Sequence, residues 1–148
     1  MNPEPSVCPS VLHVVPPNGG GVDRYVRGIC TLRKQDWILH VSDRQWVVEH
    51  PAQNVLIPIP AGSSAIRTLA MHRLVHAHSA LPETRMAVSQ LSDGGTWPYL
   101  LTLHDIAFAD TSAAISREER TARIDFVLHA NHLVAPSHYM ASAVRELS

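Results

Sequence analysis

Short apolar runs alternate along the chain with longer segments in which apolar residues recur at helical spacing. The runs are rich in aliphatic and β-branched residues, as is typical of buried strands, and they cover residues 11–15, 37–41, 74–78, 99–103 and 132–135. After the first run, one helical face carries apolar side chains, namely Val22, Tyr25, Val26, Ile29 and Cys30. Strands that alternate with helices predict an α/β fold with a Rossmann-like, doubly wound and mostly parallel sheet.

The remaining segments complete this outline. Further helices are predicted for residues 65–74, 81–91, 117–130 and 138–148, and the third of these should turn Ile124, Val127 and Leu128 to the core. Ser116 and Glu119 have capping-box spacing, in which each side chain accepts from the backbone N–H of the other residue, and Ser137 is expected to cap the last helix. Residues 46–48 and 54–59 resemble strands, but their short connections predict a hairpin or an irregular edge.

Composition narrows the class of protein. The chain has 148 residues, about one domain, with 45% apolar and 17% charged residues, which favours a folded core over disorder. Twelve basic and thirteen acidic residues leave a net charge of −1, which argues against a nucleic-acid-binding face. We expect Cys8 to be exposed and Cys30 to be buried, without a disulfide framework. No signal-peptide pattern or apolar run of about 20 residues is present, so a cytoplasmic protein, at most peripheral to the inner face of the membrane, is expected.

Ligands of doubly wound sheets bind beyond the carboxyl ends of the strands, so the loops after Val15, His78 and Leu103 are the candidates. The first loop contains Gly19, Gly20 and Gly21, which let backbone N–H groups approach an anion at the start of the next helix. One alternative is a tight turn without a ligand. Another is a nicotinamide site that uses Gly19, Gly21 and Asp43, although Arg24 occupies the third glycine position of that fingerprint.

The other two loops carry histidines. His76 and His78 share one face of a strand, with His72 nearby, but no cysteine or carboxylate is close enough in sequence to complete a metal set. A polar crevice lining or a hydrogen-bonded core histidine is therefore the favoured interpretation. His104 and Asp105 directly follow a buried strand, where a general base or hydrogen-bond donor would point into the crevice. The alternatives are a histidine that only anchors the loop and an aspartate that caps the next segment.

Four segments, in order, resemble one family: VLHVVPPNGGGVDRYVRGI, LVHAHS, YLLTLHDI and HLVAPSHYMASAVREL. Together they span Val11 to Leu147 and are similar to the N-terminal half of a retaining GT-B glycosyltransferase of the family 4 type (glycosyltransferase group 1-like). The resemblance implies an acceptor-side domain of an enzyme that transfers a sugar from a nucleotide-sugar donor to a polysaccharide, glycolipid or similar acceptor. Residues 43–70 carry no motif of that family.

The resemblance also assigns roles to residues. His104, with Asp105 beside it, would match the active-site histidine that contacts the transferred sugar. The glycine loop (Gly19, Gly20, Gly21) and His78 would lie against the donor phosphates or the acceptor, and Ser137 and Tyr139 would line the crevice. No metal or other cofactor is expected, since GT-B enzymes generally transfer without a divalent ion.

In that family the diphosphate-binding residues belong to a C-terminal domain, which the resemblance does not cover. The alternatives are then a shortened form of a longer protein, one product of a split gene, and a degenerate half with a binding role. The resemblance therefore implies that a complementing domain or chain supplies the diphosphate-binding residues, that the isolated chain is inactive, and that an exposed face pairs with that domain or with a second copy. A nucleotide-binding or NAD-binding domain of another enzyme class, and a non-catalytic interaction module, are the alternative functions.

Overall fold

A computed structural model describes residues 8–17, 20–91, 97–105, 112 and 114–147. Within these ranges seven strands form one sheet: β1 (Val11–Val15), β2 (Trp37–His40), β3 (Gln45–His50), β4 (Val55–Pro60), β5 (Leu74–Ala77), β6 (Tyr99–Thr102) and β7 (His132–Val134). The helices are α1 (Gly20–Leu32), α2 (Ile66–Ala70), α3 (Pro82–Gln90), α4 (Arg117–His129) and α5 (His138–Arg145). A short 3₁₀ turn spans Pro51–Gln53.

The sheet has the order β4-β3-β2-β1-β5-β6-β7. β1 lies in its middle, and all five of its residues are buried, which explains the unbroken apolar run at 11–15 apart from one histidine. β1 pairs in parallel with β2 and β5, and β6 and β7 extend the parallel part outward. The prediction of a mostly parallel α/β sheet is confirmed, and the architecture is compatible with a Rossmann-like fold.

The uncertain segment after β2 is an antiparallel edge. β2 pairs with β3, and β3 pairs with β4, both antiparallel, so the predicted hairpin is confirmed. Pro58 and Pro60 lie on β4, the outermost strand, where a missing N–H costs no ladder hydrogen bond.

Helices cover the two faces of the sheet unequally. The larger core packs α2, α3, α4 and α5 against one face, around side chains such as Leu12, Ala77 and Leu101. Of the described helices, only α1 packs on the other face, where Val26 and Cys30 meet Val15 and Ile38. We call this second face the α1 face.

Alternation along the strands determines which residues share the α1 face. His13, His76 and Thr102 lie on it, since their strand neighbours belong to the larger core. Toward β7 no described helix covers this face, and Leu74 and Val134 are each about half exposed (47% and 46%).

Several local predictions were wrong. The helix predicted at 65–74 is limited to α2, because the chain turns after Ala70 and resumes as β5. Leu128 is exposed, and of the predicted face of α4 only Val127 is fully buried. The capping box is half formed: Ser116 Oγ accepts from the Glu119 N–H, but the Glu119 carboxylate binds Arg85 and Arg123 instead.

Other predictions hold. Cys8 is exposed, Cys30 is buried, and Ser137 caps α5 by accepting from the Met140 N–H. No helix in the described part of the chain is long and apolar enough to cross a membrane.

Candidate functional site

The three candidate loops meet at one edge of the sheet because they follow parallel strands. Backbone hydrogen bonds link neighbouring strands there: Val41 N–H donates to Val15 O, and His78 N–H donates to Val14 O, both at 3.1 Å. Leu103 N–H donates to Val134 O at 3.0 Å, which sets the His104 loop beside the segment after β7. The topology therefore brings the glycine loop, His78, His104 and the start of α5 to a common edge.

His78 and His104 are in direct contact at this edge. His78 Nδ1 lies 3.1 Å from His104 Nε2, and the two residues line a cavity of about 30 Å³ together with Asp105 and Arg123. That volume has room for one or two water molecules but not for a sugar. Any larger ligand has to bind over the open side of the cavity, where His104 and Asp105 are accessible.

A chain of hydrogen bonds leads from His104 into the interior. His78 Nε2 lies 3.0 Å from His13 Nδ1, and His13 Nε2 lies 3.3 Å from Asp36 Oδ2. Asp36 is almost fully buried, and its carboxylate also accepts from Arg33 Nε at 2.8 Å and from the backbone N–H of Val11 at 2.9 Å. The imidazole at the ligand edge is thus connected through two buried imidazoles to the buried carboxylate of Asp36, which pairs with the partly exposed Arg33.

The carboxylate of Asp36 determines the tautomers of the hydrogen-bonded histidines His13, His78 and His104. A carboxylate only accepts, so His13 donates from Nε2 and, when neutral, accepts at Nδ1. His78 must then donate from Nε2 to His13, which leaves its Nδ1 to accept from His104 Nε2. His104 therefore carries its proton on Nε2 and presents the lone pair of Nδ1, the nitrogen that can accept a hydrogen bond or a proton from a ligand.

Burial keeps these imidazoles neutral. Desolvation lowers the pKa of His78 to about 2 and that of His76 to about 4, with neighbouring histidines adding to both effects. Burial also lowers the pKa of His13, partly offset by Asp36, and the pKa of His104, partly offset by Asp105. The neutral tautomer chain is therefore the state expected at neutral pH.

An aromatic side chain from α1 closes the site on one side. The Tyr25 ring packs edge-on against His104 at a centroid distance of 5.2 Å and lies 6.0 Å from the His78 ring. Tyr25 was predicted to face the core, but it is 46% exposed because its helical face turns toward the ligand edge. It covers His104 without burying it completely.

The glycine loop borders a second, larger cavity. This cavity of about 440 Å³ is lined by backbone and side chains that include Gly20, Asp23, Arg27 and His40. Gly20 has φ +38°, a conformation that favours glycine, whereas a Cβ on either Gly20 or Gly21 would meet open space. Gly19 lies outside the described residues.

The charged groups of this larger cavity are paired with one another. Arg27 binds both carboxylate oxygens of Glu49 at 2.6 and 2.9 Å, and its Nε donates to Asp23 at 2.8 Å. His40 Nε2 lies 2.6 Å from Glu49 Oε2. Burial alone would raise the pKa of Glu49, but the hydrogen bonds from Arg27 and His40 lower it. The cavity is therefore polar, and its one guanidinium is shared between two carboxylates.

The predicted site residues at the last helix play a more limited part. The Ser137 hydroxyl is engaged as the N-cap of α5, and Tyr139 is 68% exposed. Both lie at the ligand edge of the sheet, and no contact joins either to His104. His72, the histidine near His76 in sequence, is exposed on a turn with φ 64° and is separate from the buried histidines.

Sequence reasoning missed three residues of the site: His13, Asp36 and Tyr25. A histidine within the VLHVV strand, in register with His76 on the neighbouring strand, was the available signal for His13. Asp36 directly precedes β2 and is brought to His13 only by the folded sheet, so no local pattern indicates it.

Comparisons with protein-family models, with curated proteins and with solved structures found no match to this chain.

Proposed function

We propose that this chain is the acceptor-binding half of a glycosyltransferase that moves a sugar from a nucleotide-sugar donor to a polysaccharide, glycolipid or similar acceptor. The proposal starts from the sequence resemblance to the N-terminal half of family 4 GT-B enzymes. The observation that carries it is the position of His104, a neutral imidazole at the carboxyl edge of a parallel sheet with its Nδ1 lone pair available.

The chemistry of this edge suits a hydroxyl-rich ligand. A sugar hydroxyl can donate to His104 Nδ1, and the exposed carboxylate of Asp105 can accept from a second hydroxyl. Uptake of a proton at Nδ1 would be stabilised through His78 and His13 by the carboxylate of Asp36, as a buried acid orients and supports a histidine base in other enzymes.

The larger cavity favours a neutral sugar over a diphosphate. Two carboxylates occupy the donor groups of Arg27, so this guanidinium is already neutralised. Arg123 at the smaller cavity is bound to Glu119 at 2.7 Å. Binding a departing diphosphate calls for donors aimed at its developing charge. We therefore assign donor phosphate binding to a complementing domain or chain, and acceptor binding to this one.

Ligand titration followed by two-dimensional NMR tests the proposal. Short oligosaccharide acceptors should shift the backbone resonances of Gly20, Gly21, His104 and Asp105 in a saturable way. His104→Gln should weaken this response, whereas His129→Gln, an exposed histidine at the end of α4, should leave it intact. Absence of a response to oligosaccharides, lipid-linked sugars and nucleotide-sugars alike would refute the assignment.

Activity gives the second test. Supplied with a complementing donor-binding half, the wild-type chain should support transfer, and His104→Ala should lower turnover by about 100-fold or more. The chain alone should transfer no sugar from common nucleotide-sugars. Near-normal turnover of a folded His104→Ala protein would remove His104 from the active site.

The nucleotide-binding alternative has its own reporter. Trp46 is fully buried and donates from Nε1 to Ser42 O, beside the loop that holds Asp43. Saturable quenching of Trp46 fluorescence by NAD or NADP, without a response to sugars, would favour a nicotinamide site over acceptor binding.

A further inference from the structure

The α1 face of the sheet contains a cluster of three histidines, His13, His76 and His78, beneath the proposed sugar site. One ring nitrogen of each lies within 4.8 Å of a ring nitrogen of the other two. The ring planes are tilted by 30° to 40° relative to one another, at centroid distances of 4.1 to 5.3 Å. His13 on β1, His76 on β5 and His78 directly after β5 thus lie close together in a mostly buried position.

We propose that this cluster binds a single divalent transition-metal ion, with zinc as the best fit. Imidazole nitrogen is a preferred ligand of Zn²⁺, and three histidines with one open coordination position form a common zinc arrangement. The proposal stands apart from sugar transfer, for which no metal is expected, and it does not depend on that function.

The spacing of the nitrogens suits a metal. Tetrahedral zinc with Zn–N bonds of about 2.0–2.1 Å places its ligand nitrogens roughly 3.3 Å apart. His13 Nδ1 and His78 Nε2 are already 3.0 Å apart, so they need to separate by only a few tenths of an ångström. Metal ligation would replace the hydrogen bond that joins these two nitrogens. The proton of His78 would then reside on its Nδ1 and be donated to His104 Nε2, and the proton of His104 would reside on its Nδ1.

Each histidine of the cluster has a hydrogen-bond partner at one of its two ring nitrogens. Asp36 binds His13 Nε2, the Thr102 hydroxyl lies 2.7 Å from His76 Nε2, and His104 lies 3.1 Å from His78 Nδ1. Such outer partners fix the ring orientation of metal ligands, and a carboxylate behind a histidine is the commonest form. They leave Nδ1 of His13, Nε2 of His78 and Nδ1 of His76 as the nitrogens to offer a metal.

Burial and access also favour binding. A metal ligand must be a neutral imidazole, and the burial of His13 and His78 disfavours their charged forms. His13 and His78 are almost fully buried, but His76 is only partly so, on the open side of the α1 face. An ion can therefore reach the cluster past His76, and water can fill the fourth position.

Zinc titration of the metal-free chain tests the site. The chain is purified without a histidine tag, dialysed against a chelator and titrated with Zn²⁺ in competition with a chromophoric chelator. One zinc ion per chain should bind tightly and raise Tm. Cobalt(II) in its place should give the intense visible absorption of a tetrahedral site.

Variants locate the site. His76→Ala should weaken zinc binding by about 100-fold or more, and Thr102→Val should weaken it by about 10- to 100-fold through loss of the outer partner. His132→Ala removes an exposed histidine from the same sheet face and should change nothing. His76 is chosen over His13 because its partial exposure makes a folded variant easier to obtain, which circular dichroism verifies.

The results separate the outcomes. Absence of one-to-one binding, or equal weakening by His76→Ala and His132→Ala, would mean adventitious binding at surface histidines and would overturn the site. Zinc binding without any response to sugars would remove the proposed transferase function and leave the metal site standing. A response to sugars without zinc binding would overturn the metal site and leave the proposed transferase function standing.

Discussion

Acid should destabilise this protein well before its carboxylates titrate, because neutral histidines are buried in its sheet. In the folded state the pKa values of His76 and His78 are about 4 and about 2, against 6.5 in the unfolded chain. Between those values the unfolded state binds more protons than the folded state. The free energy of unfolding therefore falls as the pH drops below about 6.5.

The magnitude follows from the unfolded state alone, since both residues stay neutral in the folded protein at pH 5. Protonation of a free histidine with a pKa of 6.5 stabilises the unfolded chain by about 2 kcal/mol at pH 5 relative to pH 7. Protonation of His76 and His78 in the unfolded state thus lowers the free energy of unfolding by about 4 kcal/mol. This is a large share of the roughly 5–15 kcal/mol by which a typical domain is stable. Glu119, whose pKa is lowered to about 2 by Arg85, adds little above pH 5.

Urea unfolding at pH 7 and pH 5, in the presence of a chelator, measures this loss. The wild-type chain should lose at least about 4 kcal/mol of unfolding free energy across this interval, because His13 and His104, whose pKa values are also lowered, add to the loss from His76 and His78. His76→Gln keeps a partner for Thr102 but does not titrate, so it should lose about 2 kcal/mol less. The exposed His132→Gln should behave as wild type. Equal stability at the two pH values, or an unchanged loss in His76→Gln, would refute the argument.

Three further predictions concern the site. Long-range nitrogen–proton NMR at pH 7 should show the proton of His104 on Nε2; a proton on Nδ1 would contradict the derived tautomer chain. Asp36→Asn removes the buried charged partner of Arg33 and should lower the free energy of unfolding, measured with urea, by about 2–3 kcal/mol. This is less than the penalty for a completely buried pair because the Arg33 guanidinium is partly exposed. Asp43→Asn, at an exposed position, should cause no measurable change. Gly20→Ala should lower the unfolding free energy by about 1–2 kcal/mol because Gly20 has a positive φ. Gly21→Ala, at a position with open space at the start of α1, should leave the unfolding free energy unchanged or raise it. Equal effects of the two substitutions would exclude strain at Gly20.

The sequence predicted the parts of the fold that local pattern determines. β1 is a five-residue apolar run and α1 has a regular apolar stripe, and both form close to their predicted bounds. The hairpin after β2 followed from connections too short for a crossover helix. The helix predicted at 65–74 is too long because its apolar residues have helical spacing. In the structure Leu74 pairs with Val11, so the end of this segment belongs to the sheet.

The candidate site was predicted only where one loop contains it. His104 and His78 could be identified because each follows a buried strand, and strand polarity carries both to the same edge. Asp36 could not, because its importance arises from contact with His13 across two strands. Tyr25 was misassigned because its position on the helical stripe is apolar by pattern but faces the ligand edge in three dimensions.

The polar interior of the α1 face links the two proposals. Apolar side chains would pack there more stably, yet the sheet buries histidines and an aspartate beneath the ligand edge. In the metal-free state the tautomer chain gives His104 an accepting Nδ1. If zinc binds His78 Nε2, the proton of His78 resides on Nδ1 and is donated to His104 Nε2. The proton of His104 then resides on Nδ1, which becomes a hydrogen-bond donor. Metal occupancy would thus reverse the hydrogen-bond polarity that His104 offers to a sugar. An oligosaccharide that binds the chelated protein should accordingly bind the zinc-loaded protein with altered affinity, and identical affinities would show that the cluster and the edge are uncoupled.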